Sequence, residues 1–239
     1  RYRVVQPREV LEFYRDLTEI SGFELETAGV LKEGKKFWAL AKTGKESVLK
    51  GKDKVNGYIL LATSCDGTLA TTATLTSIRV VCNNTLTVAL NGASSAVKVP
   101  HSTTFDGQAV KKQLGIAVSH WDGFMYRMKT LSERKVKSHE SLNYFLNVLC
   151  HTDQPTNTKG GLVNERALKR VQELYDGAGK GSEMDSAAGT AWGLLNAVTE
   201  YVDHERRARS TDYRLDSAWF GQGAALKARA LDHAMQLVA

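Results

Sequence analysis

The stretch from Tyr58 to Leu90 places the strongest constraint on the fold of this chain. It begins with an apolar run, turns at Asp66-Gly67 and continues as a long threonine-rich segment, a pattern typical of two paired strands. The pattern then breaks at Asn83-Asn84, where asparagine before apolar residues indicates a helix start. The stretch therefore predicts a strand pair followed by a short helix.

Strands precede helices in the rest of the chain. Upstream, Pro7 starts a predicted helix, and residues 23–42 alternate around Glu33-Gly34 as the strands of a hairpin do. The polar, lysine-rich residues 43–57 predict a mobile loop. Residues 106–136 have the spacing of one long helix.

Helical patterns dominate from Ser138 onward, and the glycine-rich residues 177–186 predict a linker between two of the helices. Strands followed by helices are typical of an α+β fold. We expect an antiparallel β-hairpin sheet packed on a long helix, followed by an all-α C-terminal half. The predicted domains are residues 1–137, an α+β core, and residues 138–239, a helical region packed on that core.

The composition favours an anionic partner and argues against several other classes. The net charge is +6 and the pI is about 9.2, which attracts polyanions such as nucleic acid. No run approaches the roughly 18–20 apolar residues of a membrane span. The cysteines form no CxxC pair, so we expect free thiols in a reducing, cytoplasmic compartment. Because the chain starts with Arg1, we expect further sequence before it.

Motifs for catalysis and metal binding are weak. The GAGKGS segment lacks the spacing and the preceding strand of a phosphate-binding loop. The histidines are scattered and form no helical pair with another ligand. Ser64-Cys65-Asp66-Gly67 fits a hairpin turn better than a nucleophilic site. We therefore expect no enzyme activity, no metal and no cofactor.

Basic residues form the main candidate site. Lysines bracket the first hairpin turn, populate residues 43–57 and recur on the predicted long helix. A cation and two amides also surround the predicted helix start, an arrangement suited to a phosphate. The predicted DNA-binding residues are Lys35, Lys36, Arg79, Asn83, Asn84, Lys111 and Lys112. The alternative is structural: Arg79 pairs with Asp66, and an asparagine caps the helix.

Several segments together resemble a family. They are VVQPREVLEF, ETAGVLKEGKKFWALA, YILLATSCDGTLATTATLTSIRVVCNNTL, TAWGLLNAVTEYVDHERR and AWFGQGAALKARAL. The resemblance is to the phage/plasmid-like protein family of unknown function, and it covers nearly the whole chain. It implies a distant relationship to Rad52-like single-strand annealing proteins, with a β-β-β-α core, a basic groove and ring or filament oligomers. The family provides no catalytic residues to transfer.

The resemblance and the charge together imply a single-stranded DNA-binding, strand-annealing recombination protein of a phage or plasmid, acting as a homo-oligomer. The alternative is an anti-defence or regulatory protein of a mobile element that binds a host protein. A nuclease ranks last, because the sequence has no convincing carboxylate cluster.

Overall fold

The computed structural model describes residues 22–90, 107–150 and 164–239. It also describes residues 93, 94 and 96–99, and seven single positions near the start of the chain, namely 6, 8, 9, 12, 14, 15 and 19. The predicted helix that begins at Pro7 lies mostly outside these residues.

Strands occupy the first half of the described chain. They are β1 (Glu24–Leu31), β2 (Lys36–Leu49), β3 (Asp53–Ser64), β4 (Thr71–Arg79), β5 (Asn84–Thr87), β6 (Ala89–Leu90), β7 (Ala93–Ser94) and β8 (Val97–Val99). The main sheet is antiparallel and six-stranded, in the order β1-β2-β3-β4-β5, with β8 pairing with β4. Strands β6 and β7 form a separate small hairpin.

The central strands are buried on both faces. In β3 every residue from Gly57 to Ser64 is buried, and in β4 most residues are buried too. The apolar run that opens the Tyr58–Leu90 stretch therefore lies on an interior strand, since an alternating pattern would mark a strand with one face in water. By contrast, β1 is an edge strand whose side chains are mostly exposed.

Residues 43–57, predicted as a mobile loop, are instead strand on both sides of a tight turn. Leu49 closes β2, Asp53 opens β3, and Lys52 N donates to Leu49 O at 3.3 Å. Leu49, Asp53 and Val55 are all buried. The prediction was wrong because it weighed the number of lysines and not their spacing. Buried residues alternate with exposed lysines in this segment, and a period of two residues is typical of a strand.

The helix predicted after Asn83 is strand β5. Asn83 has φ +55°, and its backbone N–H donates to Arg79 O at 2.8 Å. Left-handed asparagine reverses the chain in a tight turn, so the residues that follow return beside β4. Thr85 and Thr87 then favour the strand, because β-branched side chains lose rotamer freedom in a helix.

Helices make up the second half, as predicted. They are α1 (Gly107–Ser119), α2 (Trp121–Glu133), α3 (Ser138–Cys150), α4 (Glu165–Glu173), α5 (Ala191–Glu200), α6 (Thr211–Phe220) and α7 (Gln222–Gln236). Helix α5 continues into a π-helical turn at Tyr201–Glu205, whereas the segment Leu174–Ala178 after α4 is kinked at Gly177, which has φ +137°. None of the helices in the described residues has the length and apolar character of a membrane span.

The predicted long helix over 106–136 is two helices, α1 and α2, that meet at His120. Helix α2 buries Trp121, Phe124 and Met128, an i, i+3, i+7 stripe, and α1 buries Val110 and Leu114. The α+β class and the helical C-terminal half are confirmed.

The chain forms two compact units. Unit 1 contains Arg1–Ser47, Val55–Ile78 and Thr87–Phe124, and unit 2 contains Val48–Lys54, Arg79–Leu86 and Met125–Ala239. Unit 1 includes most of the sheet. Unit 2 is built around α5, whose ten residues are all buried. The division at residue 137 and the packing of the helical region on the core stay predictions.

Candidate functional site

The polar centre of unit 2 is the side chain of Asp53, which is 1% exposed. Its carboxylate accepts hydrogen bonds from Arg79 Nε at 2.8 and 2.9 Å, Ser186 Oγ at 2.7 Å and Trp192 Nε1 at 2.9 Å. A buried carboxylate is stable only when paired and hydrogen-bonded, and each of these donors is itself buried. Asp53 therefore holds together segments far apart in the sequence.

Arg79, a predicted DNA-binding residue, is the cation of this centre. It is 3% exposed, and Nη2 donates to Gly181 O at 2.9 Å while Nη1 donates to Lys180 O at 3.3 Å. Its guanidinium also lies 5.9 Å from the centroid of the Trp192 ring. The structural alternative was right that Arg79 pairs with an aspartate, but the partner is Asp53 and not Asp66.

The predicted linker at 177–186 packs tightly against this ion pair. A Cβ on Gly181 would lie 2.8 Å from Val81 and 3.1 Å from Nη2 of Arg79, and one on Gly179 would lie 2.6 Å from Leu174 O. Gly181 also has φ +70°. The linker prediction was wrong because these glycines serve close approach to other groups and a left-handed turn, not flexibility.

Glu200, at the end of α5, fixes the same segment from the other side. Its carboxylate oxygens accept from the backbone N–H of Lys180, each at 3.1 Å. Burial raises the pKa of Glu200 above its ordinary value, and this hydrogen bond opposes the rise. The segment is therefore held through its carbonyls by Arg79 and through one N–H by Glu200.

A second buried ion pair joins Asp203 and Lys227 at 2.7 Å. Asp203 also accepts from the backbone N–H of Thr85 at 2.7 Å, and Lys227 Nζ donates to Thr85 Oγ1 at 2.7 Å. Burial lowers the pKa of Lys227, and the Asp203 carboxylate opposes that change. Both charges are compensated within the pair, so this cluster anchors β5 in unit 2.

The other predicted residues of this region have different environments. Asn83 is exposed in the turn. Asn84 is 4% exposed and its Nδ2 donates to Asn196 O at 3.3 Å, while its Oδ1 has no hydrogen-bond partner in the described part of the chain. Burial raises the pKa of the nearby Cys82 to about 11, so its thiol stays protonated at neutral pH.

The predicted lysines belong to unit 1. Lys35 is exposed in the turn between β1 and β2, Lys36 is the nearly buried first residue of β2, and Lys112 is exposed on α1. The backbone of Lys111 lies in α1, but its side chain lies outside the described residues. Arg79, Asn83 and Asn84 are brought together in unit 2. Contact of these seven residues with DNA stays a prediction.

The structure adds a feature that the sequence pattern concealed, which we name the lysine turn (residues 50–54). Lys50 and Gly51 have φ +47° and +77°, the left-handed pair of a type I′ hairpin turn. Asp53 points into the ion-pair centre, whereas its neighbours Lys52 and Lys54 are exposed. All three lysines are exposed on a turn whose orientation is fixed by a buried anion.

A cleft of about 240 Å³ lies beside the lysine turn within unit 2. Lys50 and Lys52 line one side, and Glu183 and Asp185 contribute carboxylates. Asp53 also lines the cleft, but Arg79 compensates its charge, so the two lysines and the two remaining carboxylates balance. Lys54 is exposed and does not line the cleft.

No group of three histidine, cysteine or acidic side chains has metal-binding geometry among the residues described. Asp53 and Asp203, the two most buried aspartates of unit 2, are occupied by cationic and neutral donors.

The family model of a domain of unknown function, DUF932, matches residues 1–219, so the chain belongs to that family. No curated protein and no solved structure matches the chain.

Proposed function

We propose that this member of the DUF932 family binds single-stranded DNA through its phosphate backbone and that the lysine turn forms part of the contact surface. The observation that carries the proposal is the buried Asp53, which fixes the backbone of a turn that carries three exposed lysines. A turn whose backbone is fixed before binding loses less backbone entropy when its lysines meet a polyanion. The net charge of +6 supports the same partner class.

The finer proposal follows the resemblance. The protein would be a strand-annealing recombination protein of a phage or plasmid, Rad52-like, cytoplasmic and homo-oligomeric as a ring or filament. Contacts to the backbone alone leave base edges available to a complementary strand, which is what annealing requires. Lys35, Lys36, Lys111 and Lys112 of unit 1 would extend the surface. This mechanism needs no metal and no chemistry at the DNA.

The test is fluorescence anisotropy with a labelled oligonucleotide at several salt concentrations. Changing Lys50, Lys52 and Lys54 together to Gln should weaken binding on the order of 100-fold at 0.1 M salt, because about three phosphate contacts are lost. The salt dependence should also become shallower, by about 2 in the logarithmic slope.

The matched control changes three exposed cations of unit 2 outside the turn, Arg166, Lys169 and Arg207, to Gln. It removes the same total charge. Equal loss of affinity in both variants would show a general charge effect and reject the lysine turn as the contact surface. Absence of any binding to the wild-type protein at low salt would reject the proposed function itself.

A further inference from the structure

One methionine of unit 2 contacts the buried ion pair and also lines an open cleft. Met184 Sδ accepts a hydrogen bond from Arg79 Nη2 at 3.5 Å. The same residue is half-buried and forms part of the wall of the cleft of about 240 Å³ beside the lysine turn. Arg79 itself is buried and holds Asp53. A small molecule in the cleft therefore meets a side chain that contacts the ion-pair centre.

The backbone around Met184 holds the residue in place. Its N–H donates to Gly181 O at 3.4 Å, and its carbonyl accepts from the N–H groups of Ala187 and Ala188, both at 2.8 Å. A Cβ on Gly181 would lie 3.1 Å from Sδ, so the sulfur packs closely against this glycine. The sulfur therefore has Arg79 on one side and Gly181 on another.

The thioether is the weakest of the acceptors that surround the Arg79 guanidinium. Nη2 donates to Gly181 O at 2.9 Å as well as to Met184 Sδ, and Nε donates to the Asp53 carboxylate. Thioether sulfur accepts hydrogen bonds weakly, and oxidation converts it into a polar sulfoxide. A change at this sulfur therefore changes the environment of the buried cation.

We propose that Met184 is an oxidation site for hydrogen peroxide and that its sulfoxide loosens the ion pair that anchors the lysine turn. An Sδ lone pair attacks one peroxide oxygen, and an S–O bond forms as the O–O bond breaks. The hydroxide that leaves takes the proton from the new S–OH group, which gives the sulfoxide and one water. The sulfur is oxidised by two electrons, and the peroxide is reduced to water.

The new oxygen has no position that preserves the contact with Arg79. A distance of 3.5 Å between Nη2 and Sδ leaves no room for an oxygen between the two atoms. An oxygen directed into the cleft leaves the sulfur, the positive end of the S–O dipole, facing the guanidinium cation. In both arrangements Arg79 loses a favourable contact beside its bond to Asp53, and the backbone of the lysine turn is held less firmly.

Peptide mass mapping of the wild-type protein after treatment with hydrogen peroxide tests the site. We expect Met184 to be oxidised about tenfold faster than Met125 and Met128, which are 6% and 0% exposed. Met235, half-buried in α7, is the internal reference for a partly accessible methionine. Oxidation of Met184 no faster than that of the two buried methionines would overturn the proposal.

Hydrogen exchange and chemical denaturation test the consequence of oxidation. Dithiothreitol first restores the reversibly oxidised forms of the three cysteines, and the sulfoxide remains. The amides of residues 50–54 should then exchange faster than in untreated protein, whereas those of residues 32–35 in the first hairpin turn should be unchanged. The equilibrium constant of unfolding should rise on the order of tenfold, the scale of one disrupted buried hydrogen bond.

Two variants assign the effect to one sulfur. Met184→Leu nearly conserves volume and should make exchange at the lysine turn insensitive to peroxide, whereas Met235→Leu should respond as the wild type does. An oxidised Met184 with unchanged exchange, or an equal response to peroxide in Met184→Leu, would overturn the proposal. The mass mapping uses the wild-type protein and depends on neither variant, and none of these measurements requires DNA binding.

Discussion

Two hairpin turns of this protein carry lysines, and they differ in what fixes them. The first turn, residues 32–35 of unit 1, has three consecutive left-handed residues and is joined to the rest of its unit by a bond from Cys65 N to Lys35 O at 2.9 Å. The lysine turn of unit 2 is anchored instead by the buried carboxylate of Asp53. The two similar sequences, KEGK and KGKDK, are therefore held by different contacts, a backbone hydrogen bond in the first turn and a buried carboxylate in the second.

The difference shows why counting lysines does not locate an interface. A surface lysine has high rotamer entropy and is usually solvated. The backbone of the lysine turn is fixed because Asp53 accepts buried hydrogen bonds from an arginine, a serine and a tryptophan. The inward residue sets the outward direction of its neighbours, since side chains alternate along a strand.

We expect the largest effect from Asp53→Asn, which removes the anion that anchors the lysine turn. It leaves the buried Arg79 guanidinium without its anion, and we expect unfolding stability to fall by about 3–5 kcal/mol. Chemical denaturation at pH 7 measures the loss. The matched control is Asp66→Asn, in an exposed hairpin turn where the carboxylate accepts hydrogen bonds from Thr68, and a small effect is expected. A larger loss in the control would restore Asp66 as the partner of Arg79.

The next test compares Gly51→Ala with Gly34→Ala. Both glycines have positive φ, +77° and +85°, and a Cβ would meet nothing within 4 Å at either, so the cost is purely conformational. We expect each to lower stability by about 1 kcal/mol. Only Gly51→Ala should also weaken binding of the oligonucleotide. Equal effects on binding would mean that the two turns contribute alike.

Neutralising the carboxylates of the cleft tests whether the lysine turn is the binding face. Glu183→Gln with Asp185→Asn removes two exposed anions that line the cleft with Lys50 and Lys52. We expect oligonucleotide affinity to rise roughly two- to fivefold, the scale of exposed charge interactions. The same anisotropy titration measures it, and unchanged affinity would place the DNA away from this turn.

The smallest test concerns Glu200, which holds the segment beneath Arg79. Burial raises the pKa of Glu200 in the folded state. At a pH between the folded and the unfolded pKa, the folded protein therefore binds a proton at Glu200 that the unfolded chain has lost. Wild-type stability relative to Glu200→Gln should therefore rise as pH is lowered from 7 and decline as pH rises again. Denaturation of both proteins at several pH values measures this. Parallel curves would show that Glu200 is not desolvated.

Short-range patterns gave correct predictions where one element decided its own structure. The hairpin around Glu33-Gly34, the strand pair around Asp66-Gly67 and the helical second half were all predictable. Two predictions failed: the lysine-rich residues 43–57 were predicted as a loop and form strands, and the glycine-rich residues 177–186 were predicted as a linker and pack against the Asp53–Arg79 ion pair. In both cases the deciding partner lies far along the chain, as Ser186 does for Asp53.

The sequence by itself determined the α+β class, the turn positions and the excess of positive charge, because these depend on local propensity, periodicity and composition. Only the tertiary structure decided which cations are buried and which are presented. Arg79 and Lys227, cations like any other in the sequence, became structural because carboxylates meet them inside unit 2. Lys50, Lys52 and Lys54 are exposed on a turn whose backbone is fixed by the buried Asp53. Burial of a charge is favourable only beside its counter-charge, and the position of that counter-charge is a property of the fold.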